Sequence, residues 1–176
     1  MLAADRAGEH ALLVAATGAG KTLAGFLPTL VEAIDRADGA GTVTGEGIST
    51  LYISPLKALA SDVRRNLLRP IEEIGLPLRV ETRTGDTSAD ARARQRSHPP
   101  DILLTTPESL SLLLSQEDAP HIFRRLDRVV IDEVHAFGTG KRGDLLQLSL
   151  ARLQALRPGL RRAGLSATVA EPDRWR

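Results

Sequence analysis

Two short segments carry the residue types that chemistry on a phosphate requires. The first is a glycine-rich turn, Ala16-Thr17-Gly18-Ala19-Gly20-Lys21-Thr22, which follows an apolar run at residues 12–14. Glycines in such a turn allow backbone N–H groups to surround a phosphate at the N-terminus of the following helix. Lys21 adds a positive charge for the β- and γ-phosphates of a nucleotide, and the Thr22 hydroxyl can bind Mg²⁺. The turn therefore predicts nucleotide binding by Thr17, Gly18, Ala19, Gly20, Lys21 and Thr22, with an ordinary strand–helix turn as the alternative.

The second segment, Ile131-Asp132-Glu133-Val134-His135, places two adjacent carboxylates at the end of another apolar run. Asp132 is suited to hold Mg²⁺ together with Thr22, and Glu133 to polarise an attacking water molecule. By itself, an Asp-Glu pair at a strand end is more often just the start of a solvated loop. Because both segments occur in one chain, we predict hydrolysis of a nucleoside triphosphate, with Lys21, Asp132 and Glu133 as the catalytic residues.

Composition and charge exclude several other kinds of site. The 176 residues contain no cysteine, which excludes disulfides, zinc–thiolate centres and thiol nucleophiles. The four histidines show no metal-ligand spacing. No apolar stretch approaches a membrane span, and the N-terminus lacks the layout of a signal peptide, so we expect a cytoplasmic protein without membrane contact. The net charge of +1 does not indicate nucleic-acid binding, although a local basic groove can lie on a neutral protein.

The elements that must position these residues alternate along the chain. Apolar runs predict strands near residues 12–15, 50–54, 79–82, 102–105, 129–132 and 162–166. The segments between them show apolar residues at the three- and four-residue spacing of helices. This alternation is typical of a single α/β domain, residues 1–176, with a mainly parallel sheet covered by helices on both faces. The carboxyl ends of the strands would then share one edge of the sheet, where ligands bind.

Two prolines and a glycine-rich segment modify this pattern. Pro28 lies inside the first predicted helix and should bend it or remove one of its hydrogen bonds. We expect Pro70 to interrupt a later helical stretch and to start a short second helix. Residues 38–47 are rich in glycine and predict a flexible surface loop.

The order of the motifs resembles that of the first RecA-like domain of superfamily-two helicases. Residues 16–22 resemble motif I, 54–59 motif Ia, 106–109 motif Ib, 132–135 a DExH motif II and 166–168 motif III. The detailed sequences of residues 51–59, 83–87, 141–143 and 164–169 resemble those of the large helicase-related (Lhr) family. Within that family, the resemblance is closest to the bacterial ligase-associated DEXH-box branch. This resemblance implies a RecA-like P-loop NTPase fold, ATP as the nucleotide, and translocation on and unwinding of DNA, in DNA repair.

The same resemblance implies roles for residues at the other strand ends. Its partner would be single-stranded or partly duplex DNA, or alternatively RNA, held through the phosphodiester backbone. The contacting residues would be Pro55, Leu56, Lys57, Arg83, Thr84, Gly85, Thr106, Pro107, Glu108 and Ser109. Coupling of the phosphate site to a second domain would fall to His135, Ser166 and Thr168.

Simpler structural roles remain open for most of these residues. Thr106 and Pro107 also suit the cap and first turn of a helix, and Pro55-Leu56 suits a strand-to-helix turn. His135 could cap a helix, and Ser166-Ala167-Thr168 could form a hydrogen-bonded strand end. The row of Arg92, Arg94 and Arg96 is more typical of a solvated helix face than of a dedicated contact.

The resemblance stops after motif III, and the adenine-reading glutamine that relatives carry upstream of motif I is missing. We therefore expect a fragment that lacks the second RecA-like domain with its arginine finger, and that alone hydrolyses ATP slowly and does not unwind DNA. The alternatives are a module that holds nucleotide or DNA without turnover, and another kind of P-loop NTPase.

Overall fold

The computed structural model describes residues 1–16, 18–38, 47–138 and 140–167. In these residues the strands form one six-stranded sheet in which every pair is parallel, in the order β1-β6-β5-β2-β4-β3. The strands are β1 (Ala11–Val14), β2 (Thr50–Ile53), β3 (Val80–Arg83), β4 (Ile102–Thr105), β5 (Arg128–Ile131) and β6 (Arg161–Ser166). All of the predicted strands are confirmed, with bounds that differ by at most one residue.

Helices connect the strands and cover the sheet on both faces. They are α1 (Leu2–Arg6), α2 (Lys21–Asp38), α3 (Lys57–Ile74), α4 (Ala89–Ser97), α5 (Pro107–Leu114), α6 (Ala119–Ile122) and α7 (Lys141–Leu156), with a 3₁₀ turn at Val134–Phe137. Alternate residues of the strands face opposite sides, so Leu51 packs in the cluster that includes α5 and α7, whereas Tyr52 packs with α2 and α3. The predicted α/β architecture is therefore confirmed.

Both prolines lie within continuous helices, Pro28 in α2 and Pro70 in α3. The predicted second helix after Pro70 is wrong, because α3 runs without interruption to Ile74 and ends at Gly75 in a left-handed cap with φ 74°. Proline removes the hydrogen bond to the carbonyl of Asn66, which is exposed and can bind water instead. Most of the predicted loop at 38–47 lies outside the described residues.

The parallel register brings the carboxyl ends of the strands to one edge of the sheet. Val14 is paired with Ser166, and Ile53 is paired with both Ile131 and Thr105. The residues that immediately follow these strands therefore lie side by side along that edge, which is where a parallel sheet binds its ligands.

Ion pairs join helices to the opposite edge of the sheet. The buried guanidinium of Arg128, at the start of β5, donates to Asp5 of α1 and to Glu32 of α2, and Arg161 of β6 also pairs with Asp5. In the described part of the chain, no helix combines the length and apolar character needed to cross a lipid bilayer.

Candidate nucleotide and nucleic-acid sites

The glycine-rich turn lies between β1 and α2. Gly18 and Gly20 adopt φ values of 83° and 78°, a left-handed conformation that favours glycine over residues with a Cβ. The backbone N–H of Ala19 donates to the carbonyl of Ala16 at 3.2 Å, which closes the turn just before α2 begins at Lys21. Thr17 lies outside the described residues. The geometry is that of a loop whose backbone can surround an anion at a helix N-terminus.

Lys21 folds back over this turn and is only 7% exposed. Its Nζ donates to the carbonyl oxygens of Ala15 and Ala16, at 2.6 and 2.9 Å. These acceptors are neutral, so phosphate oxygens entering the turn would be stronger partners for the ammonium group. Thr22 follows at the first turn of α2 and is half-buried.

Asp132 is the first residue after β5, and both of its carboxylate oxygens accept hydrogen bonds. Its Oδ1 accepts from the backbone N–H of Glu133 at 2.9 Å, and its Oδ2 accepts from the hydroxyl of Tyr52. Burial and the neighbouring charge of Asp132 raise the pKa of the Tyr52 hydroxyl well above its ordinary value, so that the hydroxyl stays protonated and donates.

Tyr52 is a site residue that the sequence reasoning missed. It is the only tyrosine in the chain, and it lies on a strand that is buried throughout. A phenol hydroxyl in such a strand requires a hydrogen-bond partner, and this was the one available signal.

Glu133 has an unusual backbone, with φ 47° and ψ 50°, in the left-handed region that non-glycine residues rarely adopt. Its Oε2 is buried and has no hydrogen-bond partner within the described residues, although His135 Nδ1 lies 3.4 Å away. Backbone strain and an unsatisfied acceptor occurring together are typical of a functional position. The carboxylate can therefore accept a hydrogen bond from a water molecule.

The structure brings two of the three predicted coupling residues together. His135 Nδ1 lies 2.9 Å from the Oγ of Ser166, at the end of β6. Since β6 lies between β1 and β5, this contact spans from the Asp132 segment towards the glycine-rich turn. Thr168 lies outside the described residues.

Thr22 and Asp132 supply a hydroxyl and a carboxylate, which are hard oxygen ligands of the kind that Mg²⁺ prefers. They follow β1 and β5, on either side of β6, at the same edge of the sheet. A P-loop site with this donor set takes its remaining ligands from phosphates and water. The residues present therefore fit a Mg²⁺–nucleotide complex.

The loop after β2 is exposed at its apex. Pro55 is buried, whereas Leu56 is 56% exposed and Lys57 begins α3 at the surface. The Lys57 ammonium is paired with Asp86, at 2.9 Å from Oδ1 and 2.7 Å from Oδ2. Asp86 was not anticipated from the sequence as the partner of Lys57.

The loop after β3 is built around two arginines. Arg83 is buried and donates to the carbonyl of Arg92 and to Gln95, so its side chain joins β3 to α4 and does not face solvent. Arg92 in turn donates to the carbonyls of Thr84 and Gly85, at 3.2 and 2.9 Å. Arg92 of α4 therefore orders this loop, and the predicted solvated face does not describe Arg92.

An open cleft lies beside these two loops, between α3 and α4, with a volume of about 600 Å³. Lys57, Thr84 and Asp86 are among the residues that line it. The cleft connects the surfaces of the loops that follow β2 and β3.

The loop after β4 begins α5. Thr106 caps this helix by accepting from the N–H of Ser109, and Pro107 occupies its first position, as the simpler interpretation predicted. Thr106, Pro107 and Ser109 are buried, whereas Glu108 is exposed and accepts from Arg142 of α7 at 2.6 Å. Burial raises the pKa of Glu108, but the Arg142 hydrogen bond and charge outweigh this effect and lower it overall.

A glycine-rich turn between a strand and a helix and a strand-end Asp-Glu pair on one edge of an all-parallel sheet define a P-loop NTPase domain of RecA-like fold. Residues 2–175 match the model of the DEAD/DEAH box helicase family. The chain belongs to that family. The roles of its individual residues in binding and catalysis remain predictions.

The Lhr helicases are among the proteins that the chain resembles. It is 48% identical to the Lhr helicase/uracil glycosylase of Escherichia coli over 92% of this chain and 11% of that protein. It is 42% identical to the ATP-dependent helicase Lhr-Core protein 2 of Thermococcus barophilus, over 92% of this chain and 20% of that protein. The chain thus spans between about a tenth and a fifth of these relatives.

A solved structure gives the same result. The structure of Mycobacterium smegmatis helicase Lhr bound to ssDNA and AMP-PNP superimposes with a TM-score of 0.80 at 44% identity, over 97% of this chain and 22% of that one. The predicted resemblance to Lhr is confirmed, while the ligase-associated branch stays a prediction.

Proposed function

We propose that this chain is the first RecA-like domain of an ATP-dependent DNA helicase, which couples ATP hydrolysis to translocation along DNA and to unwinding. The observation that carries the proposal is the common sheet edge that holds the Lys21 turn and the Asp132-Glu133 pair, with one Glu133 oxygen lacking a hydrogen bond within the described residues. The ssDNA and AMP-PNP named for the M. smegmatis structure support DNA and ATP as ligands. The resemblance to Lhr also supports a role in DNA repair, and we propose a cytoplasmic location.

The nucleotide site works through exchange of hydrogen bonds. Lys21 releases the carbonyls of Ala15 and Ala16 and donates to phosphate oxygens, while the backbone N–H groups of residues 18–22 surround the β-phosphate. Thr22 and Asp132 would hold Mg²⁺, which would neutralise charge on the phosphates. Glu133 accepts a hydrogen bond from the attacking water and orients it.

The nucleic-acid site is formed by the loops after β2, β3 and β4. Lys57 exchanges its partner Asp86 for a phosphate, and the N-terminus of α3 presents backbone N–H groups to a neighbouring phosphate. Of the predicted contact residues in the loop after β4, Glu108 is the exposed one. In the loop that Arg92 orders, Gly85 is exposed and can present its backbone N–H to a phosphate, whereas the buried Thr84 donates its N–H to Thr87. Contacts of this type do not depend on base sequence and weaken as salt rises.

The coupling of the two sites requires a second RecA-like domain elsewhere in the protein. His135 is exposed and is hydrogen-bonded to the buried Ser166 next to Glu133, so a domain that contacts His135 would sense the state of the nucleotide. Closure of the two domains on ATP and reopening after hydrolysis would move the strand. An arginine from the second domain would complete charge stabilisation.

The test, made in the full-length protein with its second RecA-like domain, compares two site variants with two controls in a DNA-stimulated ATPase assay and a nucleotide-binding assay. We expect Lys21→Ala to abolish ATP binding, because it removes the phosphate-site cation. Glu133→Gln should leave binding intact and lower turnover by about 10²–10⁴-fold, because it removes the carboxylate but keeps the side-chain shape. The matched controls are Arg65→Ala and Glu73→Gln, both on the exposed side of α3.

The outcomes separate the candidate functions. Unchanged turnover in Glu133→Gln would refute the assignment of this residue. Tight ATP binding without turnover in the parent protein, in the presence of DNA, would favour a binding module over a motor.

A further inference from the structure

Tyr52 lies between the two segments that the proposed Mg²⁺ site requires. Its hydroxyl donates to Asp132 Oδ2, and its ring stacks on Phe26 of α2, with ring centroids 5.3 Å apart and an interplanar angle of 24°. Phe26 follows Thr22 by four residues, so the two side chains share one face of α2 in successive turns. A continuous series of contacts thus joins the helix of Thr22 to the carboxylate of Asp132.

We infer that Tyr52 is a positioning residue, which orients the carboxylate of Asp132 for Mg²⁺ and, with Phe26, sets its place relative to Thr22. This inference rests on the proposed function, since it concerns the metal that accompanies the nucleotide. It assigns no contact of Tyr52 with nucleotide or metal. The side chain acts only through Asp132.

The hydrogen bonds around Asp132 give the physical reason. Its Oδ1 is held by the N–H of Glu133 at 2.9 Å and its Oδ2 by Tyr52, so that rotation of the carboxylate would break one bond or the other. Each oxygen keeps a lone pair for a metal or for a metal-bound water. Because Mg²⁺ demands near-ideal octahedral geometry, a carboxylate fixed in advance binds it better than one that rotates.

The alternative is that Tyr52 only fills the core. It is fully buried, and Phe26, Val130 and Leu165 belong to the same apolar cluster. A phenylalanine at this position would keep the ring, its volume and its stacking on Phe26, and would remove only the hydroxyl. The Tyr52→Phe variant therefore separates orientation of the carboxylate from packing.

A second buried hydroxyl between the same two elements provides the matched control. Thr50 of β2 lies two residues before Tyr52, and its hydroxyl is 2.8 Å from that of Thr29 on α2. Both threonines are buried, and this hydrogen bond does not involve Asp132. Thr50→Val therefore disturbs the β2–α2 interface to a similar extent without changing the carboxylate.

The experiment measures equilibrium binding of a fluorescent ATP analogue by the purified protein, first in EDTA and then across a MgCl₂ titration. We expect Tyr52→Phe to bind the analogue in EDTA like the parent, and to need about 10-fold more Mg²⁺ for half of the metal-dependent increase in affinity. Thr50→Val should match the parent in both. A second variant, Phe26→Leu, keeps the hydroxyl but loses the stacked ring, and should shift the Mg²⁺ midpoint in the same direction by a smaller factor.

The results that overturn the inference differ from those that overturn the proposed function. If the parent shows a Mg²⁺-dependent increase and Tyr52→Phe has the same midpoint as Thr50→Val, Tyr52 does not position Asp132. Should Tyr52→Phe fail to fold, an unchanged midpoint in Phe26→Leu would also overturn it. A parent protein that binds no nucleotide, or binds it without any effect of Mg²⁺, would instead refute the proposed function, and the inference with it.

Discussion

Replacement of Gly143 by alanine should destabilise the protein, although helix propensity alone predicts the opposite. Gly143 is the third residue of α7 and is buried against the 3₁₀ turn at Val134–Phe137. A Cβ at this position would lie 2.4 Å from the carbonyl oxygen of Phe137, whereas real Cβ contacts essentially never fall under 3.0 Å. Helix and turn would therefore have to separate by about 0.6 Å. Because the contacted atom belongs to the backbone, no side-chain rotation can relieve the clash.

Whether Gly143→Ala stabilises or destabilises the protein depends on two opposing free energies, helix propensity and overpacking. Alanine is favoured over glycine inside a helix by roughly 0.5–1 kcal/mol. Overpacking of a close contact costs roughly 1–3 kcal/mol, and the upper part of that range applies where backbone must move. The balance is a loss of about 1–2 kcal/mol, or a fall in Tm of roughly 2–8 °C for a chain of this size. ATP turnover should also fall, because the displaced turn directly follows Glu133.

Urea denaturation of Gly143→Ala and Gly159→Ala, followed by circular dichroism, tests this prediction. Gly159 lies in the turn between α7 and β6, and a Cβ there would have no atom within 4 Å. We expect Gly159→Ala to stay within about 0.5 kcal/mol of the parent. A Gly143→Ala protein at least as stable as the parent would refute the reasoning, since it would mean that α7 and the turn separate without cost.

Three further predictions concern charges. Asp86→Asn leaves Lys57 without its counter-ion and should raise affinity for single-stranded DNA by about 2–5-fold at low salt, and less at high salt, in a fluorescence anisotropy titration. An unchanged affinity would show that Lys57 makes no phosphate contact. Arg128→Ala removes a buried cation from two carboxylates and should cost about 3–5 kcal/mol in urea denaturation, against less than about 0.5 kcal/mol for the exposed Arg69→Ala. A loss no larger than that of Arg69→Ala would contradict this. Burial raises the pKa of Glu32, but its hydrogen bond and charge pairing with Arg128 lower it overall, so its stabilising effect is present at neutral pH and is lost as pH falls through the folded-state pKa. The cost of Arg128→Ala should therefore shrink in acid, and a cost independent of pH would argue against the pairing.

The fold and the main site residues could be predicted because their signals are local. The short apolar runs in β2, β4 and β5 mark strands that are buried on both faces, and the ends of these strands then follow from the runs. The chemistry at those ends depends on residue type, as in Lys21, Asp132 and Glu133. The predicted helix break at Pro70 was wrong because it considered only the hydrogen bond that proline removes. The burial of Val63, Leu67 and Ile71 stabilises α3 enough to continue through Pro70.

Side-chain partners that are distant in the sequence could not be predicted in this way. Tyr52 and Asp132 are 80 residues apart, and no local sequence pattern around either residue indicates that the two are in contact. Arg83 was expected at the nucleic-acid surface because it follows a strand, yet a strand-end residue can also point back into the fold. Its guanidinium does so, because the carbonyl of Arg92 and Gln95 of α4 provide acceptors there.

The role of the segment Lys141-Arg142-Gly143 is not evident from the sequence around it and becomes clear only from its contacts in the fold. In the sequence it supported only the resemblance to Lhr. In the fold, Arg142 holds Glu108 of the loop after β4, and Gly143 lets α7 approach the turn after Glu133. The start of α7 therefore supports both the proposed nucleic-acid loop and the proposed hydrolytic segment. Because a single helix end contacts both, a shift of either loop must be accommodated at the other or by movement of α7. Among the described glycines, Gly143 is the one where an added Cβ would have the least room.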